Sequence, residues 1–198
     1  MAIKPLDVIV LAGGEGQRMG GRDKGLVAFR SQPMAGFAVQ LVKPYTQRLI
    51  ISCNRHLPDY SELADQVVVD ELDGFQGPLA GILSGLRVCN TEQVLVLPCD
   101  TPLLKTTLIE RLLMAAQARP EAITVLSEKD KLHPLHAVIP RRLVDDLSQW
   151  LEGGQRAVQR WMRTHPLQLI DIVDMSDQLC NLNTLQELHV AEKLIDNA

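Results

Sequence analysis

Short apolar runs alternate along the chain with segments whose apolar residues recur at helical spacing. The apolar runs predict strands at residues 6–11, 48–53, 67–69, 93–98, 122–126, 136–140 and 167–173. The helical spacing predicts helices at residues 33–42, 78–88, 106–118 and 142–151. A last helix is expected after Asn183, where Thr184 and Glu187 form a capping-box pattern.

The early strands are apolar throughout and do not alternate with polar residues, which is typical of strands buried on both faces of a parallel sheet. Strands and helices also follow one another in turn. We therefore predict an α/β fold with a single doubly wound, mostly parallel, Rossmann-like sheet that carries helices on both faces. Ligands of such sheets bind at the carboxyl ends of the strands, so we expect the functional residues there.

Composition narrows the class of protein. The 198 residues are 46% hydrophobic and 22% charged, with a net charge of -4, which is usual for one globular domain spanning residues 1–198. The sequence shows no basic face, so we expect no nucleic-acid partner. It also has no run long enough for a membrane span or a signal peptide, and we expect a cytoplasmic protein. The cysteines form no C-x-x-C pair, which favours reduced thiols in the core.

The first predicted strand runs into a glycine-rich loop. Five glycines lie between Gly13 and Gly21, and Arg18, Arg22 and Lys24 add positive charge. Glycines allow successive backbone amides to point at one anion, so the loop suits a polyphosphate. The loop is not a Walker A motif, because no G-x-x-x-x-G-K-[ST] spacing fits it. It is not the dinucleotide-binding motif either, because Met19 stands where the third glycine of that motif is required. Arg22 is interpreted as a solvated side chain.

Two aspartates stand where predicted strands end. Asp70 follows the third strand and Asp100 the fourth. Magnesium prefers oxygen ligands and is usually bound by one or two carboxylates together with substrate phosphates. We therefore predict that Asp100 binds Mg²⁺. The alternative is that each aspartate only caps a turn, and this alternative is stronger for Asp70 because Glu71 and Asp73 make its surroundings acidic.

These motifs together resemble a known family. Leu11-Ala12-Gly13-Gly14, Arg18-Met19-Gly20 and Lys24 are similar to the signature loop of nucleotidylyltransferases that activate small phosphorylated molecules. The glycine at position 13 resembles the molybdenum cofactor guanylyltransferases, since relatives that use CTP more often have a second alanine there. The sequence Pro98-Cys99-Asp100-Thr101-Pro102 and the block at residues 77–81 also match that family.

The resemblance implies a function. A member of this family transfers GMP from GTP to the terminal phosphate of molybdopterin, or of its molybdenum-loaded form, and releases pyrophosphate with Mg²⁺ as cofactor. GTP and molybdopterin are then the small-molecule substrates, and transient contacts with proteins of cofactor synthesis or with acceptor proteins are expected. The implied catalytic residues are Lys24, Arg18 and Asp100. The implied nucleotide-binding residues are Leu11, Ala12, Gly13, Gly14, Lys24, Asp70 and Asp100.

The second half of the chain is expected to bind the acceptor, but its residues leave alternatives open. Arg156 follows two glycines and either holds a phosphate or is a surface arginine. Asn181 and Asn183 precede the last helix, where asparagine is usually a cap or turn residue, although the family's acceptor block has the same pattern. His133 and His136 are interpreted as shaping the entry of a strand.

Some features are ambiguous. Residues 77–81 either lie near a nucleobase, as the resemblance implies, or open a helix that packs closely on its neighbours. Ser52 replaces an asparagine that is common in the family, which puts its nucleotide contact in question, whereas Asn54 and Arg55 match. Two other functions remain as alternatives. One is a cytidylyl- or other small-molecule nucleotidylyltransferase, and the other is a non-catalytic carrier of the pterin cofactor.

Overall fold

A computed structural model describes residues 2–13, 23–70, 77–182 and 186–188. Its strands are β1 (Leu6–Leu11), β2 (Ala28–Phe29), β3 (Gln32–Pro33), β4 (Thr46–Ser52), β5 (Gln66–Val68), β6 (Gln93–Pro98), β7 (Ile123–Glu128), β8 (Lys131–Pro140) and β9 (Leu167–Asp171). Its α-helices are α1 (Met34–Val42), α2 (Leu57–Ser61), α3 (Pro78–Val88), α4 (Thr106–Ala118), α5 (Val144–Glu152) and α6 (Val158–Met162).

Seven of these strands form one sheet in the order β5-β4-β1-β6-β8-β7-β9. The first four are parallel, β8 runs antiparallel to both of its neighbours, and β9 is again parallel to β7. The prediction of a mostly parallel, doubly wound sheet is confirmed. The other two strands, β2 and β3, form a separate two-stranded ribbon.

Helices cover both faces of this sheet, as the apolar strands predicted. In β1, Val8 and Val10 point into the core beneath α1 and α4. The residues between them, Ile9 and Leu11, point into the opposite core beneath α3 and α5. Every residue of β1 is buried. Because each face of the strand packs on its own apolar layer, its sequence does not alternate between apolar and polar residues.

The predicted bounds of α3, α4 and β6 are confirmed, and those of several other elements shift. The strand expected at residues 136–140 begins at Lys131, because Lys131, Leu132 and His133 also pair with β7 across a register irregularity. The strand expected to reach Val173 ends at Asp171, and a 3-10 turn follows it. The helices α2 and α6 and the ribbon β2-β3 were not predicted. Of the expected last helix, residues 186–188 are described and helical.

The four cysteines are free thiols, as expected. Cys53, Cys89 and Cys99 are buried, whereas Cys180 is exposed. Burial raises the pKa of Cys53 to about 11 and the pKa values of Cys89 and Cys99 to about 12. In the part of the chain that the structure describes, no helix is both long and apolar enough to span a bilayer.

Candidate active site

The carboxyl ends of four neighbouring parallel strands meet at one edge of the sheet. Backbone hydrogen bonds continue past the strands and join these ends. The Ala12 amide donates to the Ser52 carbonyl at 2.9 Å, and the Cys99 amide donates to the Leu11 carbonyl at 3.1 Å. The Cys53 amide donates to the Val68 carbonyl at 3.0 Å. The predicted site residues at the ends of β1, β4, β5 and β6 therefore share one rim.

The start of the glycine-rich loop lies at the centre of this rim. Leu11 and Ala12 are buried, and the exposed Gly13 begins the loop. A Cβ atom on Gly13 would meet no atom of the described residues within 4 Å, so these residues leave the space above this backbone open. Gly14, which was predicted to bind the nucleotide, and Arg18, which was predicted to be catalytic, lie outside the described residues.

The structure brings Lys24 and Asp100 together. The Lys24 Nζ lies 2.5 Å from the Asp100 Oδ2, and the two side chains are only 20% and 16% exposed. The other carboxylate oxygen, Asp100 Oδ1, is buried without a hydrogen-bond partner among the described residues. A buried carboxylate oxygen of this kind is suited to a hard cation, because a buried polar atom without a partner is unfavourable.

A short 3-10 turn at Lys24–Leu26 carries the lysine. Asp23 precedes this turn as its N-cap, and its Oδ1 accepts a hydrogen bond from the Gly25 amide at 3.1 Å. The same oxygen accepts a second hydrogen bond, at 2.5 Å, from the hydroxyl of Tyr60 in α2. This hydrogen bond thus links the turn to α2, which follows β4 in the sequence.

Asp70 is held by Asn54. The Asn54 Nδ2 donates to the Asp70 Oδ2 at 2.8 Å, and the Asp70 amide donates to the Asn54 Oδ1 at 2.9 Å. Asp70 Oδ1 is buried without a hydrogen-bond partner among the described residues. This mutual pairing fixes Asp70 at the end of β5 and gives the matching residue Asn54 a clear structural role.

The block at residues 77–81 opens α3 against the same rim. Gly77 has a φ of 75°, a conformation that favours glycine, and Pro78 begins the helix. A Cβ on Gly81 would lie 2.5 Å from the Ser52 Oγ and 3.2 Å from the Leu11 Cδ2. The close packing of this helix on the ends of β1 and β4 is therefore real, while the predicted contact with a nucleobase stays a prediction.

Comparison with known proteins identifies the family. Residues 8–169 match the family model described as the MobA-like NTP transferase domain. The chain belongs to this family. It is 45% identical over 193 residues to the molybdenum cofactor guanylyltransferase of Ectopseudomonas mendocina (strain ymp), covering 97% of this chain and 94% of that one. It is 39% identical to the enzyme of the same name from Pseudomonas putida (strain GB-1), covering 92% and 95%.

The fold of the MobA-like family is also found by structural comparison. The crystal structure of molybdopterin-guanine dinucleotide biosynthesis protein A from Archaeoglobus fulgidus superimposes with a TM-score of 0.79 at 21% sequence identity. The alignment covers 98% of this chain and all of that one. As a member of the family the chain is a nucleotidyltransferase, so the predicted enzyme class is confirmed, and the structural likeness confirms the predicted fold class.

Among the described residues, one backbone contact joins the carboxyl-terminal segment of this transferase directly to Asp100. The Leu182 amide donates to the Asp100 carbonyl at 3.0 Å, which places the exposed Asn181 next to the residue that touches the Asp100 backbone. Asn183 lies outside the described residues. The Arg156 Nη1 donates to the carbonyls of Leu151 and Gln155 at 2.7 and 2.8 Å, so this side chain caps the end of α5. Acceptor binding by Arg156, Asn181 and Asn183 stays a prediction.

Three residues near the site were not predicted from the sequence. Tyr60 and Asp23 hold the turn of Lys24, and His136 shares a hydrogen bond of 3.1 Å with the hydroxyl of Thr101, the residue after Asp100. Burial lowers the pKa of His136 to about 3, so its ring is neutral. His133 and His136 lie within β8, not at its entry as expected, because the strand begins earlier. For these three residues the one local signal was Asp23, because aspartate is a common N-cap and its position predicts the start of a helical turn at Lys24.

Proposed function

We propose that this transferase moves GMP from GTP to the terminal phosphate of molybdopterin, or of its molybdenum-loaded form, and releases pyrophosphate. The observation that carries the proposal is the Lys24–Asp100 pair beside the glycine-rich loop, in a chain 45% identical to a molybdenum cofactor guanylyltransferase. The amino-terminal half would bind the nucleotide. The acceptor would lie toward the second half, near Asn181 and Asn183, and Arg156 is a weaker candidate for holding its phosphate.

We propose Mg²⁺ as the divalent cofactor, with Asp100 as its protein ligand. The buried, unpartnered Asp100 Oδ1 fits a hard cation. Within the described residues, no group of three or more histidine, cysteine, aspartate or glutamate side chains could hold a metal ion. Substrate phosphates and water are the usual further ligands of a magnesium ion that is held by one or two carboxylates. When bound, the ion supplies positive charge that polarises the α-phosphate of the substrate.

The side chains of this protein then have separate tasks. The amides of Leu11 to Gly14 would bind the phosphates of GTP, since the described residues leave the backbone at Gly13 open. Lys24 and Arg18 would neutralise the charge that grows on the leaving pyrophosphate. Asp70, held by Asn54, would bind the nucleotide at the neighbouring strand end. Catalysis on this scheme is positioning together with charge neutralisation.

The acceptor brings its own nucleophile. A terminal phosphate oxygen is already anionic at neutral pH, so its in-line attack on the α-phosphorus needs no general base from the protein. The titratable groups beside Asp100 agree with this scheme. Burial keeps the Cys99 thiol protonated, with a pKa of about 12, and keeps His136 neutral, with a pKa of about 3.

The test is pyrophosphate release from GTP, CTP, ATP and UTP, each with Mg²⁺ and molybdopterin or its molybdate-loaded form. We expect release with GTP that disappears in Asp100→Ala and persists in Glu121→Ala, which changes an exposed carboxylate paired with Arg119. Release with CTP in place of GTP would move the protein to the cytidylyl class. Tight pterin binding without release from any nucleotide would favour a carrier.

We further propose that the enzyme works in the cytoplasm. Its substrates are small molecules, and transient contacts with proteins that make or receive the molybdenum cofactor would pass the product on. Fractionation of cells followed by crosslinking of the purified pool would test both statements.

A further inference from the structure

The turn that carries Lys24 is held by a buried polar contact that the catalytic scheme does not use. Tyr60 is fully buried in the core that also contains Val10 and Ala12 of β1. Its hydroxyl donates to the Asp23 Oδ1, which also accepts from the Gly25 amide. The position of the phenol is therefore fixed relative to the strand end from which the glycine-rich loop starts.

The backbone of the turn depends on the same aspartate. The Asp23 carbonyl accepts hydrogen bonds from the amides of Leu26 and Val27, both at 3.1 Å. The Val27 carbonyl in turn accepts from the Met34 amide at 3.0 Å, at the start of α1. One carboxylate oxygen of Asp23 thus holds Gly25, the residue after Lys24, and the Asp23 carbonyl holds Leu26 and Val27 at the end of the turn.

Gly25 shows how closely the phenol approaches this turn. A Cβ on Gly25 would lie 2.3 Å from the Tyr60 hydroxyl oxygen, so no side chain fits between the turn and the phenol. Burial and the hydrogen bond to Asp23 raise the pKa of Tyr60, which keeps its hydroxyl protonated and able to donate. The contact is a directional hydrogen bond to a buried carboxylate and not simply apolar packing.

We propose that Asp23 and Tyr60 are positioning residues for the transfer reaction, which hold the Lys24 ammonium at Asp100 and above the phosphates of the nucleotide. A lysine side chain has many rotamers, so the direction of its backbone decides where its charge lies. A misplacement of about 1 Å in a catalytic group reduces rates by about 100-fold. The proposal rests on the role given to Lys24 under the proposed function.

The first experiment compares the steady-state kinetics of pyrophosphate release in four variants. Tyr60→Phe and Asp23→Ala each lose the hydrogen bond, and we expect kcat to fall about 10-fold or more while KM for GTP changes less than about 2-fold, as for an interaction used in the transition state. Asp23→Asn keeps an acceptor oxygen for both donors and should recover most of the rate. Tyr45→Phe is the matched control, because its hydroxyl donates to Glu110 at 2.7 Å just before β4 begins, away from the carboxyl-end rim.

The second experiment asks whether Tyr60 acts through Lys24. In a Lys24→Ala background, Tyr60→Phe should reduce kcat no further, because the charge that it positions is already absent. A role in overall stability would instead reduce kcat by the same factor in both backgrounds. That equal reduction, or a Tyr60→Phe variant with wild-type kinetics, would overturn the proposal.

A third measurement does not depend on turnover. Reductive methylation with ¹³C-labelled formaldehyde gives each lysine an NMR signal, and the signal missing in Lys24→Ala identifies Lys24. We expect Tyr60→Phe to move this signal toward those of the exposed lysines, and Tyr45→Phe to leave it in place. If no nucleotide releases pyrophosphate, the proposed function fails, while an unmoved Lys24 signal in Tyr60→Phe refutes the positioning role itself.

Discussion

Gly81 offers a sharp test of how α3 is seated on the rim. A Cβ at this position would lie 2.5 Å from the Ser52 Oγ, 3.2 Å from the Leu11 Cδ2 and 3.3 Å from the Ser52 Cβ. Ser52 is 3% exposed and Leu11 is 9% exposed, so neither side chain has solvent into which it can turn. Replacement of Gly81 by alanine must therefore displace the helix, the strand ends or both.

The magnitude follows from two opposing contributions. Overpacking of a filled core destabilises a protein by about 1–3 kcal/mol, and a contact of 2.5 Å with a buried strand belongs near the upper end. Alanine stabilises a helix interior by about 1 kcal/mol relative to glycine. We expect Gly81→Ala to lower the free energy of unfolding by about 2 kcal/mol, which lowers Tm by about 4–8 °C for a chain of this length.

A second substitution should reverse the effect of Gly81→Ala on the free energy of unfolding. Ser52→Ala removes the hydroxyl oxygen and leaves the milder contacts, 3.2 Å to the Leu11 Cδ2 and 3.3 Å between two Cβ atoms. In that background Gly81→Ala should be neutral or stabilising by up to about 1 kcal/mol, which makes the coupling between the two sites about 2–3 kcal/mol. The rate of pyrophosphate release should fall with the free energy of unfolding, because Leu11 begins the backbone that we propose binds the phosphates.

Urea unfolding of the wild type, both single variants and the double variant measures this coupling. Gly36→Ala in α1 is the control, since a Cβ there would meet no atom of the described residues within 4 Å and only the gain in helix propensity is expected. Our account of the rim would be refuted if Gly81→Ala stabilised the protein as Gly36→Ala does. Equal effects of Gly81→Ala with serine and with alanine at position 52 would refute it as well.

Three further predictions concern the site. Lys24→Ala should reduce kcat about 100- to 1,000-fold, the loss measured for one donor that stabilises developing charge, and near wild-type pyrophosphate release would remove Lys24 from the mechanism. Asn54→Ala leaves Asp70 without two hydrogen bonds and should raise KM for GTP about 5-fold, the equivalent of about 1 kcal/mol, while kcat changes little; an equal loss of kcat would contradict a role in binding. Because the His136 pKa is about 3 when folded and 6.5 when unfolded, the unfolded chain binds an extra proton between these values. The contribution of neutral His136 to the free energy of unfolding is then fully present above pH 6.5 and falls by up to about 1.4 kcal/mol per pH unit toward pH 3. Urea midpoints measured across this pH range should fall less in His136→Gln than in the wild type.

The sequence predicted best those elements whose apolar pattern is long and clearly bounded. The strand β6 begins at a polar Gln93 and ends at Pro98, and its predicted bounds are confirmed. The helices α2 and α6 have five residues each, too few to show a helical period, and their buried residues are limited to Tyr60 in one and Trp161 and Met162 in the other. The antiparallel direction of β8 was not read from its residues, because the spacing of apolar positions is the same in either direction.

The site was predicted where motif and topology act together. Asp100 ends a strand next to β1, so the rule for parallel sheets brought it to the loop of Lys24. Tyr60 was missed because its contact with Asp23 depends on the path of the chain after β4, and a lone tyrosine in a five-residue helix is no local signal for it. His136 was missed for a similar reason, since its partner Thr101 lies on the neighbouring strand end.

The hydrogen bond from the Leu182 amide to the Asp100 carbonyl has a consequence for synthesis of the protein. A ribosome translates Leu182 after all nine described strands, so a nascent chain can pair its whole sheet while the carbonyl of Asp100 still lacks this donor. The backbone of Asp100 gains this hydrogen bond only when Leu182 has emerged and returned to the end of β6. Translation order therefore delays this part of the rim until late in synthesis, and a stalled chain that lacks this segment should release pyrophosphate more slowly.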